Sequence, residues 1–175
     1  MSVPSDAART RTVLRARVDG RRDALEAEWG ERPERPPRPA PDVDVNGPAP
    51  PDKVAFDRRA YRWRVDVVAT DDAGRLRLRT DGETPALPGG PATRRETLHE
   101  AAKRHAAPVA GDDAPVRDLL WTQHVEFDYS DVTYPALRAV VHVVATDPAP
   151  GAWVAPADLP DSLPDRDAIR ETLRS

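Results

Sequence analysis

Eight of the chain's 20 prolines fall between Glu31 and Lys53, at positions 33, 36, 37, 39, 41, 48, 50 and 51. Each proline fixes φ and removes an N–H, so the stretch is barred from a helix and from most sheet pairing. Residues 31–53 are therefore expected to form an extended, solvated linker between a leading helix, residues 1–30, and a compact domain, residues 54–175. Proline-rich linkers far outnumber proline-rich recognition sites, and nothing beside the prolines points to a PxxP ligand here.

The leading segment has helix-forming composition from Asp6 to Gly30, and Leu14, Val18, Leu25 and Trp29 fall on one face. Gly20 weakens its middle. An apolar stripe of this kind must dock on something: either the protein's own domain or a second copy, which would make a homodimer through this helix.

In the compact region, Tyr61, Trp63, Val65 and Val67 alternate with Arg62, Arg64 and Asp66, the pattern of a half-buried strand. Asp71 to Gly74 make a turn, and Leu76 and Leu78 alternate with Arg75, Arg77 and Arg79, so a hairpin is expected. Its polar face carries Arg62, Arg64, Arg75, Arg77 and Arg79, either a solvated surface or one that takes anions such as phosphate. Thr93 and Glu96 read as a capping box that opens a helix ending near Ala107, before Pro108 and Gly111. Glu100 can pair with Arg104 one turn on, and Leu98, Ala101, Ala102 and His105 form the inward stripe. Strands follow over residues 121–129 and 137–145, the second apolar enough to be buried on both faces, and a closing helix spans 165–173. This order of elements is mixed α/β.

Composition excludes several functions. The chain has no cysteine, which removes disulfides, thiolate metal sites and cysteine nucleophiles together. A net charge of −4 gives no strong nucleic-acid signal. No apolar run is long enough to span a bilayer, and Met1 to Arg15 lacks the core of a secretory signal, so the expectation is a cytoplasmic protein without a membrane partner. Only Lys53 and Lys103 are lysine among the 26 basic residues, and aspartate far outnumbers glutamate. GC-rich codon usage accounts for most of this bias, which also resembles proteins of salt-accumulating microbes.

The run Leu87-Pro-Gly-Gly, with Glu96-Thr-Leu-His-Glu-Ala-Ala-Lys-Arg104 and Gly111, resembles the Nudix hydrolase family, whose signature is G-x5-E-x7-R-E-U-x-E-E-x-G-U with U a bulky aliphatic residue. Gly90, Glu96, Arg104 and Gly111 stand in register with it, and the ending from Trp153 to Pro160 is similar to the family's close. The resemblance implies a Nudix-type α/β/α sandwich with a mixed sheet, preceded by the N-terminal helix and proline-rich linker. It also implies Mg²⁺ or Mn²⁺ held by the three glutamates of R-E-U-x-E-E for attack of water on a diphosphate. Here those three positions hold His105, Pro108 and Val109, and the last aliphatic position holds Asp112. Proline and valine offer no oxygen to a hard cation.

The retained box residues also have structural explanations: Glu96 can pair with Arg104, and Gly90 and Gly111 permit unusual backbone angles. Three functions follow. The first is a Nudix-fold module that binds a nucleotide-like ligand or a partner without metal-dependent hydrolysis, and no cofactor is expected for it. Arg62, Arg64, Arg75, Arg77 and Arg79 would then contact anions, with Tyr61, Trp63, Trp121, Phe127 or Tyr134 stacking on a base where exposed. The second is a Mg²⁺- or Mn²⁺-dependent hydrolase of a nucleoside diphosphate linked to another moiety, its metal held by relocated carboxylates from Glu96, Glu100, Asp112 and Asp113. The third is a regulatory or structural module working through the N-terminal helix. Histidine spacing supports no zinc site.

Overall fold

A computed structural model of the chain describes residues 3–41 and 43–174. The expected boundaries at residues 1 and 175, and Asp42 within the linker, lie outside the described residues, as does Ser2. The described chain runs α1 (Asp6–Trp29), β1 (Glu34–Pro39), α2 (Lys53–Arg59), β2 (Trp63–Thr70), β3 (Gly89–Ala92), α3 (Leu98–Ala110), β4 (Val116–Asp128), β5 (Thr133–Val144), a single 3-10 turn (Pro156–Asp158) and α4 (Arg166–Arg174). The strands form one mixed five-stranded sheet in the order β1-β4-β5-β2-β3, in keeping with the α/β expectation. Two compact units divide the chain: the first is Met1–Arg64, Pro91–Arg94 and Trp121–Ala139, the second Val65–Gly90, Arg95–Leu120 and Val140–Ser175.

In the first unit, α1 starts at the Ser5 cap, whose side chain accepts from Ala8 N at 3.1 Å, and it runs unbroken through Gly20. Its stripe is covered by the chain itself: Leu14 is fully buried in a cluster with Phe56, Tyr61, Val125, Phe127 and Tyr134. Phe56 stands edge-on to both Phe127 and Tyr134, with ring centroids 5.1 and 5.5 Å apart, an arrangement favoured by the ring quadrupoles.

The proline-rich stretch corrects the linker expectation. Residues 34–39 form β1, parallel to β4, with Glu34 opposite Thr122 and Pro39 opposite Glu126. Prolines can do this because β1 lies at the end of the strand order, where one row of hydrogen bonds suffices, and because a proline still accepts. Pro33 O takes Thr122 N at 3.1 Å and Pro36 O takes the Gln123 amide at 2.8 Å, while the register slips between Arg35 and Arg38, where Pro36 and Pro37 sit. A short helix that the sequence reading omits, α2, follows at once, capped by Asp52 accepting from Ala55 N at 2.9 Å.

In the second unit the hairpin expectation is only partly met. After β2, the chain turns on Asp71, whose Oδ1 accepts from Ala73 N and Arg75 N, but Leu76 makes only single bridges, to Thr70 and to Val154, and Arg79 one to Ala86. No continuous second strand forms over residues 76–78. Helix α3 is capped one turn later than the Thr93 box suggests, by Thr97, which accepts from Glu100 N at 3.2 Å. It also continues past Pro108 to Ala110. The last carbonyls are satisfied from outside the helix: Ala149 N donates to Val109 O, and Thr146 N and Asp147 N both donate to Ala110 O. Gly111, at φ 98°, ends the helix beside Asp147, whose Cβ would lie 2.9 Å from any Cβ placed at this position. Strand β5, expected to be buried on both faces, is buried continuously from Tyr134 to Val141, and it lies between β4 and β2.

Candidate functional site

A cleft of about 420 Å³ opens in the second unit between the Arg77–Asp81 segment, Pro88 and Gly89 at the start of β3, and the end of α3. Its cations are Arg77, Arg79 and Arg104, with His105 beside them, and its apolar walls are Leu78, Pro88, Pro108 and Val109. The spacing of the Nudix-like box therefore has a spatial meaning: the three positions that hold glutamate in the family all face this one cleft, here as His105, Pro108 and Val109.

Local structure fixes each cation. Arg77 Nη1 donates to Pro150 O at 3.0 Å, and the guanidinium packs so closely over Gly151, itself at φ 122°, that a Cβ there would lie 2.4 Å from Nη1. Arg79 pairs with Asp81 at 3.3 Å. Arg104 grips Glu96 by two hydrogen bonds, and this pairing is the chief reason its pKa is raised. The imidazole of His105 lies against Gly90, where a Cβ would stand 3.0 Å from Cε1, so a glycine is what lets the ring sit there.

Of the five arginines expected on one face, the structure brings only Arg77 and Arg79 into this cleft. Arg75 is turned onto Asp71, its Nε 2.8 Å from Oδ2. Arg62 and Arg64 belong to the first unit, where Arg62 pairs with Asp57 and Arg64 is buried over the Tyr61 ring. A single strand crosses from one unit to the next after Arg64, which an alternating sequence pattern does not reveal. The aromatics offered as stacking platforms, Tyr61, Trp63, Trp121, Phe127 and Tyr134, are all buried. Sequence reasoning missed Arg104 as an anion contact; its position in the box one residue before His105 was the available signal.

The donor set does not fit a divalent cation. Pro108 and Val109 have no side-chain oxygen, and both carboxylate oxygens of Glu96 are engaged by Arg104. Glu100 lies exposed in the first turn of α3, while Asp112 and Asp113 lie exposed beyond Gly111 at the other end of a 13-residue helix, about 20 Å long. Among the described residues no three histidine, aspartate or glutamate side chains gather into a group able to hold a metal. No helix among them is long and apolar enough to cross a membrane.

A second concavity of the same unit, about 550 Å³, lies on Ala155, Pro156, Ala157 and α4, but Arg170 there is already committed to Pro156 O and Ala157 O.

No family model matches the sequence, and no curated protein matches it. Solved structures do. The chain is similar to the MutT protein from Methanosarcina mazei Go1, with 19% identity over 66% of this chain and 94% of that one and a TM-score of 0.45. It is similar to a UDP-X diphosphatase at 18% identity, covering 66% of this chain and 60% of that one, with a TM-score of 0.44. It is likewise similar to the Nudix hydrolase RenU from M. smegmatis, with 24% identity, 66% and 85% coverage and a TM-score of 0.44.

Proposed function

We propose that the Arg77–Arg79–Arg104 cleft binds the phosphate groups of a nucleotide-like ligand and does not hydrolyse it through a bound metal. The observation that carries this reading is the exchange of chemistry at one place. Three guanidinium groups and an imidazole converge where the resemblance calls for carboxylates, and the space between them suits a small ligand. Planar guanidinium forks match phosphate oxygens in a bidentate manner, and the apolar walls at Leu78, Pro88 and Val109 exclude water from one side of the contact. The His105 imidazole offers one further hydrogen bond to a phosphate oxygen.

Calorimetric titration with ADP, ADP-ribose and nucleoside triphosphates tests binding, at low and high salt, against the Arg77→Gln/Arg79→Gln variant. Saturable binding lost in that variant is the expected result. Hydrolysis of the same compounds with Mg²⁺ or Mn²⁺, measured in parallel, is expected to stay at background. Turnover abolished both by chelator and by Glu96→Gln with Glu100→Gln would overturn this reading in favour of a hydrolase with relocated carboxylates.

A further inference from the structure

The first unit holds a second group of arginines, on α1 and around α2, that the cleft does not use. Asp57 sits at its centre: Arg17 Nη2 reaches Oδ1 at 2.8 Å, Arg17 Nη1 reaches Oδ2 at 3.1 Å, and Arg62 Nε reaches Oδ2 at 2.9 Å. One carboxylate thus serves two guanidinium groups. Arg21, one helical turn beyond Arg17, brings a third whose guanidinium carbon stands 4.2 Å from the Trp63 ring centroid. Trp63 is fully buried, and its Nε1 donates to Thr93 O at 3.2 Å, so the ring is a fixed floor beneath Arg21.

Among the described residues Arg21 has no carboxylate partner. Three positive charges against one negative leave two in excess within the cluster. The cost shows in Arg21 itself, whose pKa is lowered first by burial and then by the charges of Arg17 and Arg62. The cluster is partly exposed: the Arg17 and Arg62 side chains keep 19% and 25% of their exposure, and Arg21 is half-buried beside them.

We propose that Arg21, together with Arg17 and Arg62, forms a binding site for a dianionic phosphate group, either inorganic phosphate or a phosphate monoester. A dianion matches the two excess charges, and the indole floor orients the Arg21 fork toward it. A phosphodiester, with one charge, matches less well. The site shares no residue with the cleft of the second unit and stands whether or not the cleft binds nucleotides.

The test is a titration of the ¹⁵N-labelled full chain, following the Trp63 indole and Arg21 Nε resonances at ionic strength held constant with chloride. The probes are inorganic phosphate, phenyl phosphate and dimethyl phosphate. Saturable shifts with phosphate are expected, and weakening of about tenfold in Arg21→Gln, the worth of one charge-assisted contact. Arg77→Gln/Arg79→Gln should leave them unchanged. Phosphate alone would identify the free anion as ligand, and phosphate with phenyl phosphate would extend the class to monoesters; both outcomes support the site. Arg21→Lys keeps the charge and the stem and guards against a misfolded Gln variant; it too should bind more weakly. Shifts that never saturate, that survive both Arg21 variants, that vanish with Arg77→Gln/Arg79→Gln, or that are matched by dimethyl phosphate would overturn the proposal.

Discussion

Arg104 and Glu96 lock together side by side, Nη2 to Oε1 at 2.7 Å and Nε to Oε2 at 2.9 Å, Glu96 just before the Thr97 cap of α3 and Arg104 about two turns along the helix. The pair is asymmetric in exposure: the Glu96 side chain keeps 13% and the Arg104 side chain 50%. Arg104 therefore faces the cleft with its charge partly spent on Glu96. Glu96→Gln should release that charge and tighten binding of an anionic ligand, whereas Arg104→Gln should weaken it. Half of Arg104 lies in water, so the loss of stability in either variant should be only about 0.5–1 kcal/mol. Calorimetric affinities and denaturant midpoints of the two variants check both signs; equal effects on affinity would mean that Glu96 does not restrain Arg104.

Gly89 meets β2 at a distance that no side chain allows. At φ 154°, a Cβ there would lie 2.1 Å from Asp66 Oδ1 and 2.5 Å from Val65 O. Gly89→Ala is expected to cost about 3 kcal/mol through displacement of backbone and a buried carboxylate. The readout is the chemical denaturation curve, with Gly82→Ala as the control, since the nearest atom to a Cβ at Gly82 is 3.8 Å away.

Gly20 presents the opposite case. It lies exposed in the middle of α1, and a Cβ there would meet nothing within 4 Å. Gly20→Ala should stabilise the protein by about 0.5–1 kcal/mol, because alanine gives up less backbone freedom on entering a helix. An unchanged or lower denaturation midpoint would show that α1 does not gain from helix propensity here.

His142 on β5 shares a 2.8 Å hydrogen bond between Nε2 and Thr70 Oγ1. Burial lowers its pKa from 6.5; among nearby charges Asp118 pulls it up and Arg117 pushes it down. The neutral ring is thus the folded form, and the stability it gives is complete above about pH 6.5 and falls as pH drops below that value. Denaturation midpoints measured from pH 7.5 to 5 should fall more steeply in the wild type than in His142→Gln. Parallel slopes would place the pH dependence elsewhere.

The helix cap shows how near the sequence came and why it stopped short. Thr93-x-x-Glu96 and Thr97-x-x-Glu100 are tandem capping boxes of equal merit on paper. The second is used, and Glu96 is taken instead by Arg104, eight residues on. Helix α2 carried a local signal too, Asp52 directly after Pro50-Pro51, but it lay inside a stretch whose prolines dominated the reading.

What the sequence determined alone is what depends on near neighbours along the chain. The 3.6-residue stripe of Leu14, Val18 and Leu25 is buried as its spacing requires, and β5 is buried continuously from Tyr134 to Val141. The intervals from Gly90 to Glu96, Arg104 and Gly111 mark a pair, a cleft wall and a helix end. Tertiary structure decided whatever depends on which distant segment supplies a partner. Glu34 to Pro39 became an edge strand because β4 pairs with it, Thr122 N donating to Pro33 O and the Gln123 amide to Pro36 O. The alternating arginines were parted by their partners: Asp57 holds Arg62, Asp71 holds Arg75, and Arg77 and Arg79 line the cleft beside Arg104. Hydrogen bonds and charges act over a few ångströms in space, and separation along the chain does not reveal which groups will come that close.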